Sequence, residues 1–92
     1  MLTDWDQLRH TTVTAQVTFL SAEADTGITL ARVALQSNDR ERMSRNARSA
    51  RKAYETLTSH IADLPPKTPG LDDIRKKLES LRQMLDLLGK RR

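Results

Sequence analysis

The residues of this sequence that could perform chemistry are two histidines and the acidic residues near them. Asp6 and His10 are four positions apart, so on a helix they share one face and could offer two ligands to zinc. Two ligands do not make a metal site, and we interpret them as a surface pair. His60 lies between Ser59 and Asp63. Neighbours on a helix point about 100° apart, which gives a serine–histidine relay poor geometry.

Other catalytic motifs are missing from the sequence. It contains no cysteine, which excludes disulfides, thiolate metal sites and cysteine nucleophiles. It has no glycine-rich phosphate loop, and we interpret Pro69-Gly70 as the entry to a helix. No acid, base and nucleophile can be assembled from the remaining residues. We therefore predict that the protein is not an enzyme and uses no cofactor and no metal.

The basic residues are clustered. Residues 1–39 have two basic and five acidic side chains, a net charge of −3, whereas residues 40–92 have fourteen and seven, a net charge of +7. Between Arg40 and Lys52 there are five arginines and one lysine against the single acid Glu41. Cations in the first turns of a helix oppose its dipole by about 0.3–1 kcal/mol each. The candidate residues for binding a partner or an anion are Arg40, Arg42, Arg45, Arg48, Lys90, Arg91 and Arg92.

Two interpretations of this cluster stay open. The first is an electrostatic surface for nucleic acid or for an acidic partner. The second is a solvated arginine-rich face with local ion pairs, to which Glu23, Asp25 and Asp86 would contribute, Asp25 by reaching Arg51. Aromatic residues do not interleave with the cations and no helix-turn-helix signature is present, so nucleic acid is the less favoured partner.

Three predicted helices position these residues. The third, at about 69–88, has its leucine and isoleucine residues spaced 3, 4, 3, 4, 3 from Leu71 to Leu88. We expect Thr68 to cap its start and Gly89 to cap its end. The second, at about 39–63, has a similar stripe from Met43 to Leu64; Asn38 or Asp39 caps it, and the two prolines after Leu64 end it.

The first helix, at about 4–36, is predicted against local propensity. Residues 11–19 alternate and are β-branched, which favours a strand. A lone strand would have no partner for its backbone, so we predict a helix. It has two apolar stripes, Leu8-Thr12-Ala15-Phe19-Ala22 and Val13-Val17-Leu20-Ala24-Ile28-Ala31-Leu35. Gly27 costs about 1 kcal/mol relative to alanine, and a helix crossing is the expected reason for it.

Short connections make consecutive helices antiparallel neighbours. The predicted fold is therefore all-α, an up-down-up antiparallel three-helix bundle that forms a single domain over residues 1–92. The residues expected to meet at its centre are Phe19, Leu20, Leu57, Ile61, Leu78 and Leu81.

Gly27 is a small residue in the first helix, and the second helix has Ala50, Tyr54 and Leu57. Together they give a small residue that faces an alanine-x-x-x-aromatic pattern. This hairpin resembles those of tetratricopeptide-like and microtubule-interacting-and-transport-type domains over less than half of the chain. The segments 26–35 and 45–54 also look like small uncharacterised bacterial proteins. These resemblances imply a scaffold that binds partners, and they transfer no site.

The expected function is a non-catalytic helical protein–protein interaction module, with a basic nucleic-acid-associated protein as the alternative. The first helix is long enough to project beyond its partners, and apolar surface left over on a small domain typically marks an interface. The candidate residues for self-association into a homodimer are Trp5, Leu8, Met84 and Leu87. Trp5 could instead pack under the loop Pro65–Gly70. With no signal-peptide pattern and no apolar run long enough for a membrane span, we expect a cytoplasmic protein.

Overall fold

The computed structural model describes the backbone of residues 4–90 and the side chains of residues 12–90. Its three α-helices are α1 (Asp4–Gln36), α2 (Arg40–Ala62) and α3 (Leu71–Lys90), and residues 4–90 contain no strand. Each helix packs against the other two. The predicted all-α three-helix bundle is confirmed, and the helix bounds agree with the predicted ones to within two residues.

The threonine-rich part of α1 is helical, and several of its hydroxyl groups donate to the helix backbone. A threonine hydroxyl can donate to the carbonyl four residues earlier, which satisfies the side chain without leaving the helix. Such bonds, 2.9–3.0 Å long, join Thr18 to Thr14, Thr26 to Ala22, and Thr29 to Asp25. The prediction of a helix over residues 11–19 is confirmed.

The start of α2 is capped by Asp39, one of the two predicted residues. Its backbone is extended, and its Oδ1 accepts the backbone N–H groups of Glu41 at 3.0 Å and Arg42 at 3.3 Å. At the other end, the backbone N–H of Asp63 donates to the carbonyls of His60 and Ile61. Pro65 and Pro66 follow, so α2 stops where the sequence predicted.

Both predicted caps of α3 are wrong. Thr68 is buried and its hydroxyl donates to the carbonyl of Pro65 at 2.6 Å, so it closes the loop instead of capping the helix. Gly70 has a left-handed φ of 86°, which interrupts any helix before Leu71. Gly89 has no positive φ and lies inside α3, which continues to Lys90.

The core combines a few leucines with many alanines. The largest fully buried side chains belong to Leu20, Leu57, Leu71, Ile74 and Leu81. Alanines fill the contact between α1 and α2 and let these backbones approach closely; the buried ones are Ala24, Ala31, Ala34, Ala47, Ala50 and Ala53. Of the residues predicted at the centre, Leu20, Leu57 and Leu81 are buried.

Phe19 is the error in the predicted core. It is 56% exposed, whereas Leu20 beside it is 1% exposed, and Ile61 and Leu78 are half-buried against the core. The side chains of Phe19 and Leu20 point about 100° apart, and α2 and α3 cover only the stripe that contains Leu20. The stripe with Phe19 is exposed at Thr12, Ala15 and Ala22 as well.

Gly27 lies at a point where all three helices are in close contact. A Cβ atom built there would lie 2.9 Å from Leu81 Cδ2 and 3.1 Å from Ala53 Cβ. Both distances are shorter than ordinary carbon–carbon contacts. The expectation that Gly27 serves a helix crossing is confirmed, and the contact places Ala53 and Leu81 at the same level of the bundle.

The molecule is a rod of 58 × 18 × 16 Å. A Cβ atom on Gly70 would lie 3.0 Å from Val17 Cγ1, so α3 starts beside Val17. Since α1 begins at Asp4, thirteen residues earlier, about 20 Å of helix lies beyond that level. We call residues 4–16 of α1 the overhang.

Candidate functional site

The overhang borders a groove between α1 and the end of α2. The groove has a volume of about 540 Å³, and Leu20 and Leu64 contribute to its wall. Its other lining residues are Thr12, Ala15, Gln16, Phe19, His60 and Asp63. We call it the apolar groove, because the exposed ring of Phe19 is its largest side chain.

Two of the polar residues that line the apolar groove, His60 and Asp63, lie at the end of α2. His60 Nδ1 lies 2.8 Å from the carbonyl oxygen of Thr56, so this nitrogen carries the proton and donates it. Asp63 caps the helix through its backbone. Asp6 and His10, the candidate metal pair, have side chains outside the described residues. Among the described side chains, no three His, Asp or Glu residues are grouped to hold a metal ion.

The four candidate residues for self-association divide into two groups. Trp5 and Leu8 fall in the overhang, and their side chains lie outside the described part of the chain. On α3, Leu87 is 53% exposed, whereas Met84 is half-buried and packs against the core. Val33 on α1 is also exposed, at 42%.

The candidate cations gather at the end of the rod opposite the overhang. From the level of Gly27, the start of α2 lies thirteen residues away and the end of α3 nine residues away, in the same direction, or about 20 and 14 Å. We call this the basic end. Its described members, all exposed, are Arg40, Arg42, Arg45, Arg48 and Lys90. Arg91 and Arg92 lie outside the described residues.

A second groove, of about 690 Å³, lies between α2 and α3 and has both Arg51 and Lys90 in its lining. It runs between the end of α3 and the basic segment of α2. Arg82, also in its lining, bonds Glu79 through two nitrogens and Asp86 at 2.7 Å. The hydrogen bond from Arg82 lowers the pKa of Glu79, and the same contact raises the pKa of Arg82.

The predicted contact between Asp25 and Arg51 is wrong. Asp25 pairs with Lys77 at 3.0 Å, and Lys77 also donates to the hydroxyl of Ser21 at 2.9 Å. Asp25 therefore does not neutralise the basic end, whereas Asp86 lines the groove with Arg51 and Lys90 and has its carboxylate bonded to Arg82. The side chain of Asp25 points toward α3, and α3 supplies its own partner for Asp86.

The apolar groove itself was not predicted from the sequence. Two signals could have located it. The first helix is ten residues longer than the second, and its stripe through Phe19 continues directly into Leu8 and Trp5.

Comparison with protein-family models, curated proteins and solved structures found no match for the chain. The resemblance to tetratricopeptide-like hairpins stays a prediction. Among the described residues, no helix is long and apolar enough to cross a membrane.

Proposed function

We propose that the protein is a non-catalytic helical interaction module that self-associates, with the overhang of a second copy seated in the apolar groove. The observation that carries this proposal is the exposed stripe of α1. Thr12, Ala15, Phe19 and Ala22 are all exposed, although most of the apolar residues of the bundle are covered. An apolar stripe that α2 and α3 do not cover is suited to another helix.

The second copy is favoured as the occupant because the stripe continues into the overhang. Extended toward the amino terminus, it gains two large apolar residues and keeps the helical spacing of 3, 4, 3, 4, 3. In order, its residues are Trp5, Leu8, Thr12, Ala15, Phe19 and Ala22. The overhang thus carries bulky residues, and the groove offers small ones beside Phe19.

A two-fold axis near Thr12 pairs this stripe with itself. Two antiparallel copies of α1 then bring Trp5 of each copy to the level of Phe19 of the other, and Leu8 to the level of Gln16 beside Ala15. Because the two-fold axis repeats every contact, each overhang fills the groove of the other copy. Arg9 comes to the level of Ala15, near the groove wall that contains Asp63.

Single-cysteine variants test this arrangement directly, since the chain has no cysteine of its own. Thr12→Cys lies on the proposed axis and should form an intermolecular disulfide rapidly under mild oxidation. Val33→Cys is the matched control, because it is exposed on the same helix but lies far from the axis. Equal and slow cross-linking of both variants would contradict the proposed pairing.

Sedimentation velocity at tens of micromolar protein supplies the second measurement. We expect the wild type to be dimeric, and Trp5→Ala and Phe19→Ser each to shift it to monomer. Leu87→Lys, on α3, should leave the dimer intact. A wild type that remains monomeric refutes self-association, and a dimer lost only in Leu87→Lys places the interface on α3 instead of the groove.

A further inference from the structure

The basic end is a concentration of exposed cations that the described part of the chain leaves without ion pairs. The ion pairs formed by described residues use Lys77 and Arg82 as their cations, and neither belongs to the basic end. Nearby, Asp39 directs its carboxylate to the backbone N–H groups of Glu41 and Arg42. The arginines therefore face solvent without an acidic partner from the described side chains of α1 or α3.

Their position makes this arrangement unfavourable for folding. Arg40 and Arg42 lie in the first turn of α2, close to the positive end of the helix dipole, where a cation is disfavoured. The exposed cations along α2 also repel one another. A bound polyanion would reverse both effects, because phosphates are attracted to cations and to the start of a helix.

The arrangement of the cations fits a chain of phosphates. Arg42, Arg45, Arg48 and Lys52 are spaced 3, 3 and 4 along α2, so they form a slanted stripe about 15 Å long that covers about 120° of the helix circumference. The buried alanines of α2 lie on its other side. Arginine predominates over lysine in the stripe, and its planar guanidinium binds phosphate oxygens through two hydrogen bonds.

The stripe lacks the large apolar residues that binding to an anionic membrane or to an acidic protein would require. A helix that lies on a membrane presents large apolar residues to the lipid, and a protein interface is anchored by buried aromatic groups. The exposed large apolar residues among the described side chains are on α1 and α3, and none is on α2. Tyr54 is half-buried and lines the groove between α2 and α3.

We propose that the basic end binds the phosphate backbone of a nucleic-acid duplex, independently of base sequence. Stacking platforms for single strands need exposed aromatic rings, and the stripe has none. Contacts limited to phosphates carry no sequence information. This surface is at the opposite end of the rod from the apolar groove, so the proposal does not depend on self-association.

The test is fluorescence anisotropy with a short labelled DNA duplex over a series of salt concentrations. For wild type, the logarithm of the association constant should fall linearly with the logarithm of salt, by about 0.9 per phosphate contacted. The triple variant Arg42→Gln, Arg45→Gln, Arg48→Gln should bind about 100-fold more weakly or worse at low salt, with a shallower slope.

The matched control removes the same charge from the other end of the rod. Lys67→Gln, Arg75→Gln, Lys76→Gln also replaces three exposed cations, and it should bind the duplex within a few-fold of wild type. Equal weakening of both triple variants would overturn a local site. Tighter binding to a single strand of the same length, to anionic vesicles or to a polyglutamate peptide would overturn the assignment to a duplex.

Thermal unfolding of the same variants gives a readout that does not involve binding. If the arginines of α2 are retained for a ligand, the α2 triple variant should melt at the wild-type temperature or above it, since it relieves repulsion at the start of α2. A clearly lower melting temperature would show that the arginines stabilise the fold, and would overturn the inference that they are retained for a ligand.

Discussion

The two ends of the rod differ in the size of the side chains that lie where the helices meet. Toward the basic end, alanines such as Ala31, Ala34 and Ala47 are buried, so the helices pack closely, and the exposed residues at the start of α2 are charged or polar. Beside the overhang, Phe19 lies on the stripe of α1 that α2 and α3 do not cover, and it is 56% exposed. Small residues complete a contact within one chain, whereas a large residue without a facing helix leaves a surface for another molecule.

The largest expected effect on stability comes from two buried leucines between these ends. Leu57 and Leu81 are both fully buried, so Leu57→Ala and Leu81→Ala should each lower the free energy of unfolding by about 2–5 kcal/mol. Phe19→Ala is the matched control for a large apolar residue outside the core, with an expected loss below about 1 kcal/mol. Chemical denaturation measured on the monomer tests this. A loss below about 1 kcal/mol at both leucines would show that the packing is wrong.

A smaller effect is expected at the helix crossing. Gly27→Ala gains helix propensity of about 1 kcal/mol, but its Cβ would lie within 3.1 Å of both Leu81 and Ala53, and overpacking of this kind costs about 1–3 kcal/mol. We expect net destabilisation. Gly89→Ala, the control, should stabilise the protein or leave it unchanged, because nothing lies within 4 Å of its added Cβ.

The contact at Gly27 can be isolated by a double-mutant cycle. In a Leu81→Ala background the closer of the two contacts is gone and only Ala53 Cβ at 3.1 Å remains, so Gly27→Ala should cost less than it does in the wild type. The coupling between the two sites should then be about 1 kcal/mol or more. Additive effects would contradict the close approach of α1 and α3 at this level.

The smallest effect concerns the surface pair on α3. Because Arg82 lowers the pKa of Glu79, this contact stabilises the fold above the ordinary pKa of a glutamate, and the contribution is lost as the pH falls through the lowered value. Arg82→Gln should raise the pKa of Glu79, measured from its carboxyl carbon shift by NMR. Arg45→Gln, on α2, should not change it. An unchanged pKa in Arg82→Gln would exclude the pairing in solution.

The number, type and approximate bounds of the helices could be predicted from the sequence, because the spacing of apolar residues in α2 and α3 is regular over several turns. The cap at Asp39 could also be predicted, because it depends only on contacts with backbone N–H groups two and three residues later. Thr68 and Gly89 could not be assigned correctly. The role of Thr68 depends on the backbone conformation of Gly70 and on the burial of the loop, and that of Gly89 depends on a helical φ that glycine can adopt as readily as a left-handed one.

The functional surfaces were predictable only in part. The basic segment is visible in the sequence, but the partner of Asp25 depends on how α1 is rotated relative to α3. Phe19 was misplaced because α1 has two apolar stripes of similar character, and only the positions of α2 and α3 decide which one is covered. The apolar groove lies along the uncovered stripe, so misplacing Phe19 also meant missing the groove.

The alanines between α1 and α2 also affect the entropy of folding. An alanine side chain has no rotamers to lose, so this contact forms without the side-chain entropy cost that leucine or methionine would bring. It also removes little apolar area from water, and area is what sets the heat capacity of unfolding. We therefore expect this part of the rod to contribute little to the temperature dependence of stability, which the layer around Leu81 should dominate.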